Sequence, residues 1–192
     1  MRRKDLLLAV FAAASFVLGS LGGAAETKPA VTMSVIYYSQ SGNTRQMAEV
    51  IVDGIRRVEG ADAKAFSLDE IDADYVKNSK CVIFGSPTQM ANMAPAVKTW
   101  FVESAKSYEL AGKIGGVFAT ANYYHGGAEL VMQGMVTQML VQGMLVYSGG
   151  GAHGRPIIHL GPAAFEGRLE DSEELFLLYG ERMAEKTVAL FQ

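Results

Sequence analysis

The chain has 192 residues, 49% of them hydrophobic, with a mean hydropathy of +0.14 and a formal charge of −3. That supports one sizeable core and about one domain, and 20 acidic against 17 basic residues argue against nucleic-acid binding through a basic face. The single cysteine, Cys81, excludes an internal disulfide and an all-cysteine metal site.

In chain order, residues 1–25 read as a secretory leader. Arg2, Arg3 and Lys4 form a basic head, residues 6–21 are apolar, and Gly23-Ala24-Ala25 supplies small residues for cleavage ahead of Glu26. The apolar run is short for a spanning helix, and an uncleaved anchor is the alternative. Arg2-Arg3 leaves the general secretory and twin-arginine routes both open. Either route places the protein outside the cytoplasm, in the periplasm. The leader carries a net +2, leaving −5 on the remainder. Residues 26–31 read as a short linker, and 32–192 as the folded domain.

Strands are expected over 31–38, 63–68, 80–85, 113–121 and 144–147, and helices over 44–58, 95–104, 128–142 and 169–191. The first helix carries Met47, Val50, Ile51, Gly54 and Ile55 at helical spacing. The last is expected to turn Leu175, Leu178, Met183, Val188 and Phe191 to the sheet. Residues 80–85 are nearly all apolar, as a parallel strand covered on both faces requires, and Cys81 within them reads as a buried, inert thiol. Trp100 and Phe101 fall inside a helix and read as core. The acidic stretch 69–77 reads as a solvated loop with a helical turn, and the Gly- and Pro-rich stretch 148–167 as a long loop. Alternating strands and helices give an α/β fold: a doubly wound, five-stranded parallel sheet in three α/β/α layers.

Ligands of such sheets bind beyond the carboxyl ends of the strands. Loops 39–44, 86–93, 119–127 and 148–162 all follow strands and are expected to gather at one edge. The first, Ser39-Gln40-Ser41-Gly42-Asn43-Thr44, surrounds one glycine with small hydroxyl and amide side chains just ahead of a helix. Its N–H groups and the helix dipole favour an anion at one spot, and Gly42 lets the backbone come close. The loop has no lysine, so it is not the nucleotide-hydrolase P-loop, and it lacks the G-x-G-x-x-G dinucleotide turn. A loop of dipoles and hydroxyls without a cation suits a phosphate monoester. His125, His153 and His159 lack metal-ligand spacing, so no metal site is expected. No nucleophile–base pair or carboxylate pair stands at catalytic spacing, so no catalytic side chain is assigned.

The first loop resembles the flavodoxin phosphate loop, Ser/Thr-x-Ser/Thr-Gly-x-Thr. A second segment, Gly85-Ser86-Pro87-Thr88-Gln89-Met90-Ala91-Asn92-Met93, resembles the Gly-x-Pro-Thr-x-x-Gly-Asn-Met stretch of flavodoxin-like NAD(P)H:quinone oxidoreductases of the tryptophan-repressor-binding-protein type. Gly126, Gly127 and Glu129 resemble that group's Gly-Gly-x-Glu. Two departures stand out: Ala91 replaces a glycine, and Val141-Gln142-Gly143-Met144 replaces a His-His-Gly-Met segment with its ring-side histidine. The resemblance covers about Thr32 to Gln192 and implies FMN as cofactor. The phosphate would sit on Ser39, Gln40, Ser41, Gly42, Asn43 and Thr44. The ring would lie along Ser86, Pro87, Thr88, Gln89, Met90, Ala91 and Asn92, with Met90 against it and Asn92 either capping a helix or bonding the ring. Thr120, Ala121 and Asn122 would meet ring heteroatoms, Tyr123 or Tyr124 would stack, and Gly126 would shape the turn. The implied donor is a nicotinamide or a protein, the acceptor quinone-like or a protein, and homo-oligomers occur among such relatives. Two other classes stay open: an electron carrier without its own substrate site, and a flavin-free binding protein.

Overall fold

The structure, a computed structural model, describes residues 31–192. The leader and linker residues 26–30 therefore lie outside the described residues, and Val31 already belongs to the first strand. The elements run β1 (Val31–Tyr37), α1 (Asn43–Arg56), β2 (Ala61–Ser67), α2 (Ala73–Asn78), β3 (Cys81–Gln89), β4 (Asn92–Met93), α3 (Pro95–Glu103), β5 (Ile114–Ala121), α4 (Ala128–Val141), β6 (Leu145–Val146), β7 (Ala163–Phe165) and α5 (Glu173–Phe191). The parallel sheet has the order β2-β1-β3-β5-β6.

The strands are apolar on both pleat faces because both faces are covered. On one side Ile36, Val82, Phe84, Val117 and Ala119 pack against α3 and α4. Trp100 and Phe101 lie there, each with its ring against Phe84. On the other side Met33, Val35, Cys81, Ile83 and Phe118 pack against α1 and α5.

The fold departs from the sequence reading in three places. Residues 163–165 are a strand within the expected loop: β6 pairs with the start of β5 (Ile114↔Leu145) and β7 with its end (Ala119↔Ala163). The two share the fifth position of the sheet. Gly161 makes this fit, since a Cβ on it would lie 1.9 Å from the Val117 carbonyl oxygen. Its neighbour Pro162 makes the same residues read as loop. Second, β3 continues past residue 85 to Gln89 and turns back antiparallel on β4. Third, the acidic stretch holds a six-residue helix, α2, whose start is capped by Asp72 Oδ1 accepting the Tyr75 N–H at 3.0 Å. Its far end is held by Lys113, whose Nζ donates to the carbonyls of Val76, Lys77 and Ser79.

The buried face of α5 is also rotated from expectation. Phe176, Tyr179, Gly180, Met183, Ala184 and Thr187 are buried, so Met183 alone of the five expected residues is fully inside, and Phe191 is exposed. The crossing with α1 decides this. A Cβ on Gly54 would stand 2.1 Å from the Leu177 carbonyl oxygen, and one on Gly180 2.3 Å from that of Ile51. Backbone meets backbone there, and the turn of α5 facing α1 must present glycine. The same orientation sends Tyr179 under the sheet, where its hydroxyl accepts the Val117 N–H at 3.0 Å.

Burial of a thiol and two phenols sets an alkaline limit to stability. The Cys81 thiol is pushed up to about 12 from 9.0 by desolvation. Tyr75 rises by the same cause to about 12 from 10.0, and Tyr179 rises further. The folded chain keeps these protons at pH values where the unfolded chain releases them. Stability is therefore full below pH 9.0 and is lost as pH climbs toward 12. Each group steepens the slope by up to about 1.4 kcal/mol per pH unit. Thermal melts from pH 7 upward should fall beyond about pH 9, and Cys81→Ala should flatten the decline between about pH 9 and 10. Equal slopes for the two proteins would contradict this assignment.

Candidate functional site

At the carboxyl end of β1 the chain passes through Tyr38 into loop 39–44, and α1 begins at Asn43. Gly42 is the N-cap residue, at φ 98°, a conformation that glycine adopts without penalty. No side chain caps this helix, and its first turn carries no acid. The amides that open a helix have no intrahelical partner, so they present a concentrated positive dipole toward the loop. Ser39 Oγ accepts the Gly42 N–H at 3.1 Å, which folds the loop over the helix start. Nothing stands within 4 Å of where a Gly42 Cβ would be, so the space in front of the amides is open. Gln40 and Ser41 are exposed and Asn43 is half-buried. Arg45, in the first turn of α1, is paired with Glu49 at 2.8 Å on the exposed face of the helix.

The second loop is a tight hairpin. Met90 and Ala91 connect β3 to β4, both in the left-handed region at φ 50° and 57°. Two-residue hairpin turns with both residues at positive φ favour Asn-Gly, so Ala91 stands where glycine is preferred, at a cost of about 1 kcal/mol. Met90 is 99% exposed at the tip. Ser86 is buried and engaged within its own segment, donating to the Pro87 carbonyl and accepting the Ala94 N–H, each at 2.9 Å. Asn92 Oδ1 accepts the Met93 N–H at 2.8 Å. Pro87, Thr88 and Gln89 are half-buried, and the Thr88 hydroxyl is buried without a hydrogen-bond partner among the described residues.

The third loop follows β5. Thr120 is buried, and Ala121 gives its carbonyl to the Glu166 N–H at 2.9 Å. Asn122 is exposed, and a turn closes where Gly126 N–H reaches the Tyr123 carbonyl at 3.0 Å. The two tyrosines separate here. Tyr124 lies against Phe165, with ring centroids 4.2 Å apart, and Arg168 sits 5.8 Å over its ring. Tyr123 is 74% exposed and is the one free to stack on a flat ligand.

Three contacts tie these loops together in pairs. Thr44 Oγ1 and Thr120 Oγ1 share a buried hydrogen bond at 2.8 Å, joining the first loop to the third. Gln89 Nε2 reaches Gln40 Oε1 at 3.5 Å, joining the second to the first. Ala91 packs on Gly127, where a Cβ would stand 2.7 Å away. The fourth loop, 148–162, is instead held on itself and against α5: Ser148 Oγ donates to the His159 carbonyl, and Arg182 Nη1 to that of Pro156. His153 bonds the Tyr147 hydroxyl at 2.9 Å, away from the three-loop cluster. Sequence reasoning missed the Thr44–Thr120 link and the Tyr124–Phe165 contact. Only the parallel pairing of β1, β3 and β5 brings the two threonines together, and Phe165 was hidden in a stretch with no strand signal.

Comparison with known proteins places the chain in a family. The family profile described as Flavodoxin matches residues 35–139. The chain is 36% identical over 159 residues to a flavodoxin of Clostridium saccharobutylicum, covering 83% of this chain and 99% of that one. It is 30% identical over 166 residues to an NAD(P)H dehydrogenase (quinone) of Geotalea daltonii, covering 72% and 75% respectively. Among solved structures, the flavodoxin, WrbA-like protein from Agrobacterium tumefaciens superposes with a TM-score of 0.69 at 23% identity, over 83% of this chain and 99% of that one.

Proposed function

The chain belongs to the flavodoxin family, and on that premise we propose that it is an exported FMN-binding oxidoreductase, reduced by NAD(P)H or a protein donor and passing electrons to a quinone or similar acceptor. The observation that carries this reading is the uncapped, acid-free start of α1 behind an open Gly42, tied to both neighbouring loops. A phosphate monoester needs convergent donors, and the uncapped, acid-free first turn of α1 supplies them. The orphaned Thr88 hydroxyl supports the ring side, because a buried unpartnered hydroxyl costs about 1–3 kcal/mol and a polar ring edge would satisfy it.

FMN, when bound, supplies the redox chemistry at its N5. The protein's residues have other tasks. Ser39, Ser41, Asn43, Thr44 and the α1 amides would hold the phosphate. The Thr44–Thr120 bond fixes the distance between the phosphate site and the ring site. The stiff Ser86-Pro87-Thr88 segment, pinned by the two Ser86 hydrogen bonds, would set the plane of the ring. Tyr123 would cover one ring face and exclude water from it. The basic head, apolar run and Gly23-Ala24-Ala25 sequence support export.

The relative named simply as a flavodoxin, together with the exposure of Met90 and Tyr123 at the loop edge, supports a second reading: a carrier that docks on protein partners. Visible absorption of the purified protein, after incubation with FMN and desalting, tests the common part of both. Retained flavin bands are expected; a folded protein that retains none would overturn both readings and leave a flavin-free binding role. Oxidation of NAD(P)H with a soluble quinone, and no further protein, would then establish the enzyme. Reduction by a protein donor alone would establish the carrier.

A further inference from the structure

We propose that the cleft bounded by the β3–β4 hairpin, α3 and α4 takes the adenylate half of a nicotinamide dinucleotide, so that the electron donor straddles the hairpin tip. The inference rests on the flavin reading above and assigns the donor a second foothold.

The cleft has a volume of about 640 Å³, room for a nucleotide. Its lining is chemically one-sided. The protein as a whole carries more acids than bases, yet the one charged residue lining the cleft is Lys98. The hydrogen bonds already made fix what the polar groups have left to offer. Lys98 Nζ donates to Gln138 Oε1 at 2.8 Å, which leaves the Gln138 amide as a donor and two ammonium protons free. Asn92 Oδ1 is taken by the Met93 N–H, which leaves its amide nitrogen to donate. Gln89 uses its amide nitrogen on Gln40 and keeps its oxygen as an acceptor. The result is an ammonium, two amide donors and two acceptors, the Gln89 oxygen and the Thr137 hydroxyl oxygen, beside the apolar surfaces of Met90, Met93 and Pro95. Phosphate answers the ammonium. A purine answers the rest: ring nitrogens for the donors, an exocyclic amine for the acceptors, and a flat face for the polarisable methionines.

Position supports the same class. Gln89, Met90 and Asn92 line this cleft and also belong to the loop assigned to the flavin ring. The hairpin is two strands across, about 5 Å from strand to strand, so one extended ligand can engage both sides of it. Gly134, on α4, keeps the cleft deep. A Cβ there would meet only the Met93 methyl at 2.9 Å and Asn92 Oδ1 at 3.9 Å.

That geometry supplies a clean test on the flavin-loaded full chain. Gly134→Leu fills the cleft, and it favours the helix by intrinsic propensity, with the flexible end of Met93 the first group its Cβ would displace. Lys98→Glu reverses the charge. ADP-ribose should shift the Met90 and Met93 methyl resonances, and both variants should abolish those shifts without loss of flavin absorbance. In turnover, both should raise the KM for NADH at least tenfold with kcat unchanged, and should leave the kinetics of reduced nicotinamide mononucleotide, which lacks the adenylate, as they were. No methyl shift with ADP-ribose, a shift that survives Gly134→Leu, or an equal loss with both donors would overturn the proposal. Flavin retention, read separately, reports on the underlying site and not on the cleft.

Discussion

Gly42→Asp is expected to abolish FMN retention while the apoprotein stays folded at a modest cost in stability. Gly42 stands at φ 98° without a side-chain cap, a backbone conformation that carries strain for any side chain, and Asp is among the few residues that visit the left-handed region. The new carboxylate would stand at the helix start, where the dipole favours it. It would do so in the space proposed for the phosphate. Repulsion between the two anions at close range is worth about 1–4 kcal/mol per unit charge, depending on local screening. Competition for the helix start adds about 0.3–1 kcal/mol. Together they weaken binding by roughly 100-fold or more. Titration of apoprotein with FMN, followed by quenching of flavin fluorescence, measures the loss, and a thermal melt of the same sample shows that the fold survives. Gly42→Asn keeps the backbone preference without the charge and should lose far less. If Asn and Asp prove equally damaging, the helix start is not where the phosphate sits.

Gly54→Ala should be the most destabilising single-methyl change on the α1 face. In an isolated helix, alanine is better than glycine by about 1 kcal/mol, so propensity predicts a more stable protein. The tertiary contact reverses the sign. The added Cβ would fall 2.1 Å from the Leu177 carbonyl oxygen, and backbone cannot swing aside as a side-chain end can. α1 and α5 must separate, which opens the layer around Ile51, Ile55, Phe176 and Tyr179. Overpacking of this kind costs about 3 kcal/mol or more, a fall in melting temperature of roughly 10 °C for a domain of this size. Chemical denaturation of Gly54→Ala beside the parent decides it; a variant as stable as the parent would mean that the two helices do not cross as closely as described.

The comparison of Gly54 with Gly134 shows where sequence reasoning stops. Both are helical glycines, and although Gly54 falls on the apolar spacing of its helix, the sequence does not show what either one meets. One faces a carbonyl on a neighbouring helix and the other faces a methyl group across a cleft. The same limit explains the rotated face of α5: an apolar tally chose Leu178 and Val188, while the α1 crossing demanded that Gly180 and its flanking turns point inward. β7 escaped notice for a related reason, since its pairing with β5 depends on Gly161 and Pro162, which read as loop.

The sequence by itself determined the layer order, because short, nearly all-apolar runs alternating with helical periodicity permit little else than a covered parallel sheet. It also placed a glycine and short hydroxyls directly ahead of a helix start, the basis for proposing an anion at loop 39–44. Tertiary structure alone decided which side chains face a ligand and which are already engaged. Ser86 turned to its own backbone, Thr120 to Thr44, and Tyr124 to Phe165, leaving Tyr123 exposed. Local pattern is set by near neighbours along the chain, whereas hydrogen-bond partners 76 residues apart, as Thr44 and Thr120 are, are set only when the strands between them have paired.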